Sequence, residues 1–258
     1  RLARRLLPLA SLLRLSAAFP DEAPSRFAVV LRTRSATQLE ATLDHARQIG
    51  EPADHAPAAE YLLELLVRLN THDRWTRGHA DRVSAYAELI AVELGLPEPV
   101  REQLRWSALL HDIGKLDLPA GLLKLARRPT AIERRELERH VAGGEALTRT
   151  MAGWLGDSLR AVSEHHERWD GNGYPRRLAG EQISLAARIV AVADAFDAMT
   201  GAKTYQERVS AVEARSELTR GAGTQFDPNV VRAFLNVSLG RLRLVMGISM
   251  GGMHTWLW

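Results

Sequence analysis

Residues 99–114, PVREQLRWSALLHDIG, form one continuous helical pattern that ends in the dipeptide His111-Asp112 and stops at Gly114. A second pattern of this kind, DSLRAVSEHHERW at residues 157–169, contains the adjacent pair His165-His166. Apolar residues recur at helical spacing through most of the chain, and few stretches alternate with the period of two that a strand requires. The sequence therefore predicts an all-α fold of about eight helices.

Histidine and aspartate residues are concentrated within or at the ends of these predicted helices. His79 and His140 lie on two further helices, and Asp194 lies in the apolar run AVADAFDAM. An ionised carboxylate among apolar side chains is costly unless it is paired or bound to a metal. Taken alone, the residues leave two interpretations open, a metal site and ordinary satisfied side chains. Nitrogen and oxygen ligands without sulfur would suit iron, manganese, zinc or nickel.

Composition excludes several classes of protein. The chain has 258 residues, 46% of them hydrophobic, which is too apolar for a disordered tail. It contains no cysteine, so disulfide scaffolds, thiol nucleophiles and cysteine-ligated zinc sites are impossible. The formal net charge is only +3, and we therefore expect no nucleic-acid partner.

Several motifs, taken in their order along the chain, resemble one known family. HDIGK at 111–115 and HHERWDGNGYP at 165–175 are specific in combination, and about two thirds of the chain follows the same pattern. This is the pattern of the HD-GYP family of metal-dependent phosphohydrolases. The resemblance implies an HD-superfamily helical bundle with additional helices around the loop that contains Gly173-Tyr174-Pro175, the GYP loop. It also implies hydrolysis of the bacterial second messenger cyclic di-GMP to linear pGpG, and in some members onward to GMP. The supporting motifs are RGHADRV (77–83), ARIVAVADAFDAMT (187–200) and GTQFDP (223–228).

The resemblance implies seven metal ligands and two divalent metal ions. The ligands are His79, His111, Asp112, His140, His165, His166 and Asp194. Asp112 would bridge the ions, one held with His79, His111 and Asp194 and the other with the remaining three histidines. Iron or manganese is expected first, with zinc or nickel as alternatives. Some members carry a glutamate four residues before the first ligand and hold a third ion. That position is Trp75 here, so we expect two ions.

Further residues are implied to act on the substrate. The catalytic set is Lys115, Asp112 and Asp197, and the substrate-binding set is Lys115, Gly173, Tyr174, Pro175, Arg188 and Lys203. Lys115 would offset the charge of the phosphate. Asp197 would orient a ligand histidine or Lys115. Arg188 would pair with a phosphate or form an internal salt bridge. Lys203 stands where the family usually has arginine, and it can meet a phosphate without the planar fork of a guanidinium.

The charge distribution suggests how the chain is organised. Residues 1–34 carry seven arginines and two acids, whereas the remainder holds 27 basic and 29 acidic residues. We expect residues 1–56 to be a juxtamembrane or linker segment, with the basic start either solvated or facing anionic lipid. Residues 57–238 would be the HD-GYP catalytic domain. Residues 239–258 would be an apolar tail, which either begins a membrane helix or packs on the body.

Three functions stay open. The first is a two-metal phosphodiesterase for cyclic di-GMP at the cytoplasmic face of a bacterial inner membrane, with membrane contact through the termini and homodimerisation as further expectations. The second is an HD hydrolase of another nucleotide, such as a mixed cyclic dinucleotide, which the departures at Lys203 and Gln206 keep open. The third is a signalling module that binds a ligand without turnover. Lost ligands would mark such a module, and all seven are present.

Overall fold

The computed structural model describes residues 65, 68–69, 78–125, 127–201, 209–242 and 245. Within these residues the α-helices with defined ends are α1 (His79–Glu93), α2 (Glu98–Leu110), α3 (Ala120–Leu123), α4 (Ala131–Thr148), α5 (Ala152–Leu155), α6 (Arg160–Glu164), α7 (Leu185–Thr200), α8 (Ala211–Gly221) and α9 (Pro228–Asn236). Short 3-10 helices lie between some of them, and no β-strand occurs in this part of the chain. The predicted all-α class is confirmed.

Side-chain caps define where several helices begin. The Thr130 hydroxyl accepts a hydrogen bond from the Glu133 amide, and the Glu133 carboxylate accepts one from the Thr130 amide, so α4 begins with a capping box. Ser210 and Glu213 form the same arrangement before α8. The Ser184 hydroxyl caps α7 by accepting from the amide of Ala187. These caps fix the starts of α4, which carries His140, and of α7, which carries Asp194, as well as that of α8.

Helix α7 lies at the centre of the hydrophobic core. Phe196 of α7 makes an edge-to-face contact with Tyr86 of α1, with ring centroids 5.1 Å apart. Its ring also contacts Phe234 of α9 at 4.8 Å, and all three side chains are fully buried. Burying side chains of this size contributes roughly 1.5–3 kcal/mol each. This contact fixes α1 against α7, and therefore fixes the position of His79 relative to Asp194.

A glycine allows the HD segment to approach α4. The 3-10 helix Ile113–Asp117 packs against α4, and its Gly114 touches the turn that carries His140. A Cβ atom at Gly114 would overlap the carbonyl oxygen of His140 and the amide nitrogen of Gly144. Only glycine permits this backbone contact, which brings Asp112 next to His140.

The helix predicted over residues 157–169 is wrong in its extent. The structure has a 3-10 turn followed by the short α6, which ends at Glu164. The chain turns there because Glu167 is buried and accepts hydrogen bonds from the amides of Arg176 (2.6 Å) and Leu178 (3.1 Å). Glu167 thereby holds the GYP loop against the body of the protein.

Some predicted features lie outside the described residues. They are the segment 1–56, most of the tail 239–258, and the side chains of Lys203 and Trp75. Across the part of the chain that is described, no helix combines the length and the apolar character needed to cross a membrane. The expected location at a membrane face stays a prediction from sequence.

Replacing Gly114 by alanine should destabilise the fold, because the new Cβ would force the 3-10 helix away from α4. We expect Gly114→Ala to lower the free energy of unfolding by about 1–3 kcal/mol, as overpacking commonly does. Gly121→Ala in α3 is the matched control, since a Cβ there meets no atom within 4 Å. Urea denaturation measures both variants. Equal stability of the two would contradict the close approach.

Candidate metal centre

The structure brings all seven predicted metal ligands together. Six of them form two groups, His79, His111 and Asp194 in one and His140, His165 and His166 in the other. Within each group, one ligand atom per residue lies within 4.8 Å of the others. The members come from helices α1, α4 and α7 and from the segments that follow α2 and α6. The fold therefore assembles the centre from residues far apart in sequence.

Asp112, the seventh, lies between the two groups. Its Oδ2 atom is 3.4 Å from His111 Nε2 and 3.7 Å from His79 Nε2. Its Oδ1 atom is 3.5 Å from His140 Nε2 and 3.9 Å from His165 Nε2. Each carboxylate oxygen thus faces one histidine group, which is the arrangement that a bridging ligand requires.

Backbone carbonyls orient three of the imidazoles. The bonds are from His111 Nδ1 to the oxygen of Ala108 (2.7 Å), from His140 Nδ1 to that of Leu137 (2.6 Å), and from His165 Nδ1 to that of Ala161 (3.1 Å). A carbonyl oxygen only accepts, so Nδ1 carries the proton and Nε2 keeps its lone pair. His111 Nε2 is buried and makes no hydrogen bond with any described residue. This donor set fits a divalent metal ion.

Burial keeps three of the five ligand histidines neutral. It lowers the pKa of His140 and, with the charges of neighbouring histidines, places the pKa of His165 well below its usual range. Burial and the charge of His140 lower the pKa of His166 to about 4. At neutral pH these three imidazoles are in the form that binds a metal.

His79 differs because carboxylates surround it. Burial opposes its charge, but hydrogen bonds to Asp194 and Asp197 outweigh that effect and raise the pKa of His79 to about 9. Burial likewise opposes the charge of Asp112, yet nearby Lys115 and His111 hold the pKa of this carboxyl well below its usual range. The carboxylates of the centre are therefore ionised, and a metal at the His79 group would displace a proton.

Asp197 lies behind the ligand His79. Its Oδ2 atom is 2.7 Å from His79 Nδ1, so His79 Nε2 points toward Asp194 at 3.3 Å. Arg82 donates to both oxygens of Asp197, from Nε to Oδ1 at 2.5 Å and from Nη2 to Oδ2 at 2.9 Å. Of the two orienting roles predicted for Asp197, the structure contains the one on a ligand histidine. Sequence reasoning gave no role to Arg82, although this residue lies in the RGHADRV motif, one helical turn after His79.

Lys115 and Tyr174 lie at the centre, and their roles in catalysis and substrate binding stay predictions. The ammonium group of Lys115 donates to Asp112 Oδ2 at 2.5 Å. The ring of Tyr174 stacks on His166, with centroids 4.8 Å apart and planes inclined by 25°. Pro175 follows through a cis peptide bond and is exposed. Lys115 and the tyrosine therefore occupy positions from which a bound molecule could be contacted.

Two other predicted substrate residues have structural partners instead. Arg188 donates to Asp227 Oδ2 at 2.6 Å and lies over the ring of Trp169 at 5.7 Å. Of the two interpretations given to Arg188, the internal ion pair is the one that the structure contains. A Cβ atom at Gly173 would overlap the backbone of Glu167, so this glycine is needed for packing of the loop.

Comparison with known proteins places the chain in context. A family model described as HD domain matches residues 65–230. A Thermotoga maritima protein named cyclic di-GMP phosphodiesterase is 36% identical over 183 residues, covering 69% of this chain and 50% of the relative. A Vibrio cholerae protein named 3'3'-cGAMP-specific phosphodiesterase 2 is 33% identical over 177 residues, covering 68% and 34%. The chain thus spans half or less of the length of these relatives.

A solved structure shares the fold. The crystal structure of a cyclic GMP-AMP specific phosphodiesterase from Vibrio cholerae superposes with a TM-score of 0.53 at 21% identity, covering 74% of this chain and 52% of that one. At this level of identity the similarity shows the fold and nothing further.

Removing the shared carboxylate should affect both ion positions. We expect Asp112→Asn to reduce bound metal toward zero, because each of its oxygens faces one histidine group. Asp194→Asn should remove about one equivalent, since Asp194 belongs to a single group. Asp157→Asn, on an exposed side chain, is the control and should retain the wild-type content. Elemental analysis of the purified proteins decides. Equal losses in the first two variants would contradict a bridging role.

The metal-free protein should lose stability as the pH falls. The pKa of His166 is about 4 in the folded state against 6.5 for an ordinary histidine, so between these limits the unfolded chain binds the extra proton. A shift of this size corresponds to roughly 3 kcal/mol. Urea denaturation of chelated protein at about pH 7 and about pH 4.5 measures it. His166→Gln should lose less stability over that interval, and an equal loss would contradict the assignment.

Proposed function

The chain belongs to the HD domain family, and from this membership and its ligand cluster we propose that it is a metal-dependent phosphodiesterase of cyclic dinucleotides. The observation that carries the proposal is the position of Asp112, with one carboxylate oxygen toward each histidine group. We propose cyclic di-GMP as the substrate and linear pGpG as the product, with GMP as a further product. The name of the Thermotoga maritima relative supports this choice.

The seven ligands would hold two divalent ions, with iron or manganese favoured by their nitrogen and oxygen donors. Such ions, when bound, lower the pKa of water and neutralise charge on a phosphodiester. The protein supplies mostly neutral imidazoles, so the charge of the cations is only partly compensated by Asp112 and Asp194. An anionic substrate is therefore attracted to the centre.

Lys115 adds a cation on the open side of the centre. Its side chain is 22% exposed and its ammonium group lies beside Asp112. From this position it can offset negative charge on a phosphate as the charge increases in the transition state. Arg82 cannot do the same, because its guanidinium is engaged by Asp197.

Tyr174 is placed at the edge of the centre through its stack on His166. Nucleobases stack readily on aromatic rings, so this residue would lie next to a base of the substrate. Its role is thus one of substrate positioning rather than of proton transfer, since burial raises the pKa of its hydroxyl well above the usual value.

A mixed cyclic dinucleotide is the alternative substrate. A relative of nearly equal similarity is named as specific for 3'3'-cGAMP. The sequence also has Lys203 and Gln206 where the family it resembles usually has an arginine and a basic residue. Lysine lacks the planar fork with which arginine holds a phosphate. We therefore expect this difference to affect the selectivity among bases.

The test uses protein purified without oxygen and shown to contain metal. It is incubated separately with cyclic di-GMP, 3'3'-cGAMP and cyclic di-AMP, and products are separated by chromatography and identified by mass. We expect linear pGpG from cyclic di-GMP. Faster cleavage of 3'3'-cGAMP would select the alternative. Metal-replete protein that leaves all three intact would overturn the enzymatic proposal.

Two variants refine this test. His111→Ala combined with Asp112→Ala should abolish both metal binding and turnover, because it removes ligands of both groups. Lys115→Met should retain the metals yet lower kcat by about 100-fold, as the loss of a preorganised charge commonly does. A Lys115→Met protein with normal metal content and normal kcat would remove this residue from the mechanism.

A further inference from the structure

Arg82 is a cation that reaches the centre from behind the ligands. It lies one helical turn after His79 on α1, and both side chains meet Asp197 of α7. Asp197 is 3% exposed and Arg82 is 14% exposed, so this contact is largely shielded from water. An ion pair in such surroundings is sensitive to the loss of either partner.

The geometry occupies both oxygens of Asp197. Oδ1 accepts from Arg82 Nε, and Oδ2 accepts from Arg82 Nη2 while facing His79 Nδ1. The paired N–H groups of a guanidinium match the two oxygens of a carboxylate, which fixes the orientation of the carboxylate as well as its charge. The orientation then determines how the His79 ring is turned.

This contact separates the roles of two aspartates on one helix. Asp194 and Asp197 lie three residues apart on α7, yet only Asp194 belongs to a ligand group. The oxygens of Asp197 are held by Arg82, whereas Asp194 lies 3.3 Å from His79 Nε2. Because Arg82 engages Asp197, this carboxylate supports the ligand His79, and Asp194 is the one available to bind the metal.

We propose that Arg82 is a positioning residue that sets the metal affinity of the His79, His111 and Asp194 group by holding Asp197 on His79 Nδ1. The inference rests on the proposed metal centre, but it concerns binding of the ion and not the identity of the substrate. In the other group, backbone carbonyls orient His140 and His165, so we expect its ion to bind independently of Arg82.

The 258-residue chain is first stripped of metal with a chelator. Manganese binding is then measured by titration, and the metal content of the loaded protein by elemental analysis. We expect Arg82→Met to lower the affinity for one of the two ions by about 10- to 100-fold, which is the usual effect of losing such a support. The affinity for the other ion should be unchanged. Arg82→Lys should lose less, because it keeps the charge but not the fork. Combining Arg82→Met with Asp197→Asn should add little to the loss, since both act through one contact.

Arg105→Met is the matched control. Arg105 of α2 reaches Glu88 of α1 at 3.0 Å and Glu98 at 3.0 Å, so this variant also removes an arginine that holds α1 by an ion pair. We expect it to bind both ions with wild-type affinity. A loss equal to that of Arg82→Met would show a general effect of loosening α1 and would overturn the proposal.

A spectroscopic signal separates positioning from simple structural support. In zinc-loaded protein, the chemical shift of the protonated Nδ1 of His79 should show a strong hydrogen bond to Asp197 in the wild type and a weakened one in Arg82→Met. Unchanged affinity and unchanged shifts in folded Arg82→Met would overturn the proposal. If that variant fails to fold, Arg82→Lys is measured instead. A lower affinity for one ion would support the proposal, and wild-type affinity for both would overturn it. These readouts stand whether or not any cyclic dinucleotide is hydrolysed.

Discussion

The buried carboxylate of Asp112 contacts both histidine groups, and the arrangement of the metal centre depends on it. It is 5% exposed and faces histidines from both groups as well as Lys115. A charge in such a place is unfavourable unless cations or hydrogen-bond donors surround it. The helices therefore pack around a buried negative charge that must be compensated. Bound divalent ions would compensate it more fully than the protein's own cations.

Packing contacts outside the ligand set hold the helices that carry the ligands in place. The Tyr86–Phe196–Phe234 contact fixes α1 against α7, and thus His79 near Asp194. The contact of Gly114 with α4 brings His140 to the opposite side of Asp112. Neither contact involves the side chain of a ligand, yet each sets one distance within the centre. Such distances matter because misplaced ligands bind metals less tightly.

Much of this could be predicted from sequence, for identifiable reasons. Helical periodicity predicts the all-α class, and the HDIGK and HHERWDGNGYP motifs indicate ligands that the structure does bring together. Arg82 belongs to the RGHADRV motif, but its support of Asp197 could not be predicted, because the two residues lie 115 positions apart in sequence. The partner of Arg188 lies 39 residues away, at Asp227, and periodicity carries no information on such contacts. The early end of α6 likewise depends on Glu167, whose partners lie in a distant loop.

The central claim is that two metal ions share the carboxylate of Asp112. Electron paramagnetic resonance of the protein loaded with two equivalents of Mn²⁺ tests it directly, because ions bridged by one carboxylate are magnetically coupled. The account predicts the spectrum of a coupled manganese pair, replaced in Asp112→Asn by weakly bound or free ions. A wild-type spectrum of two isolated Mn²⁺ ions at full occupancy would contradict it.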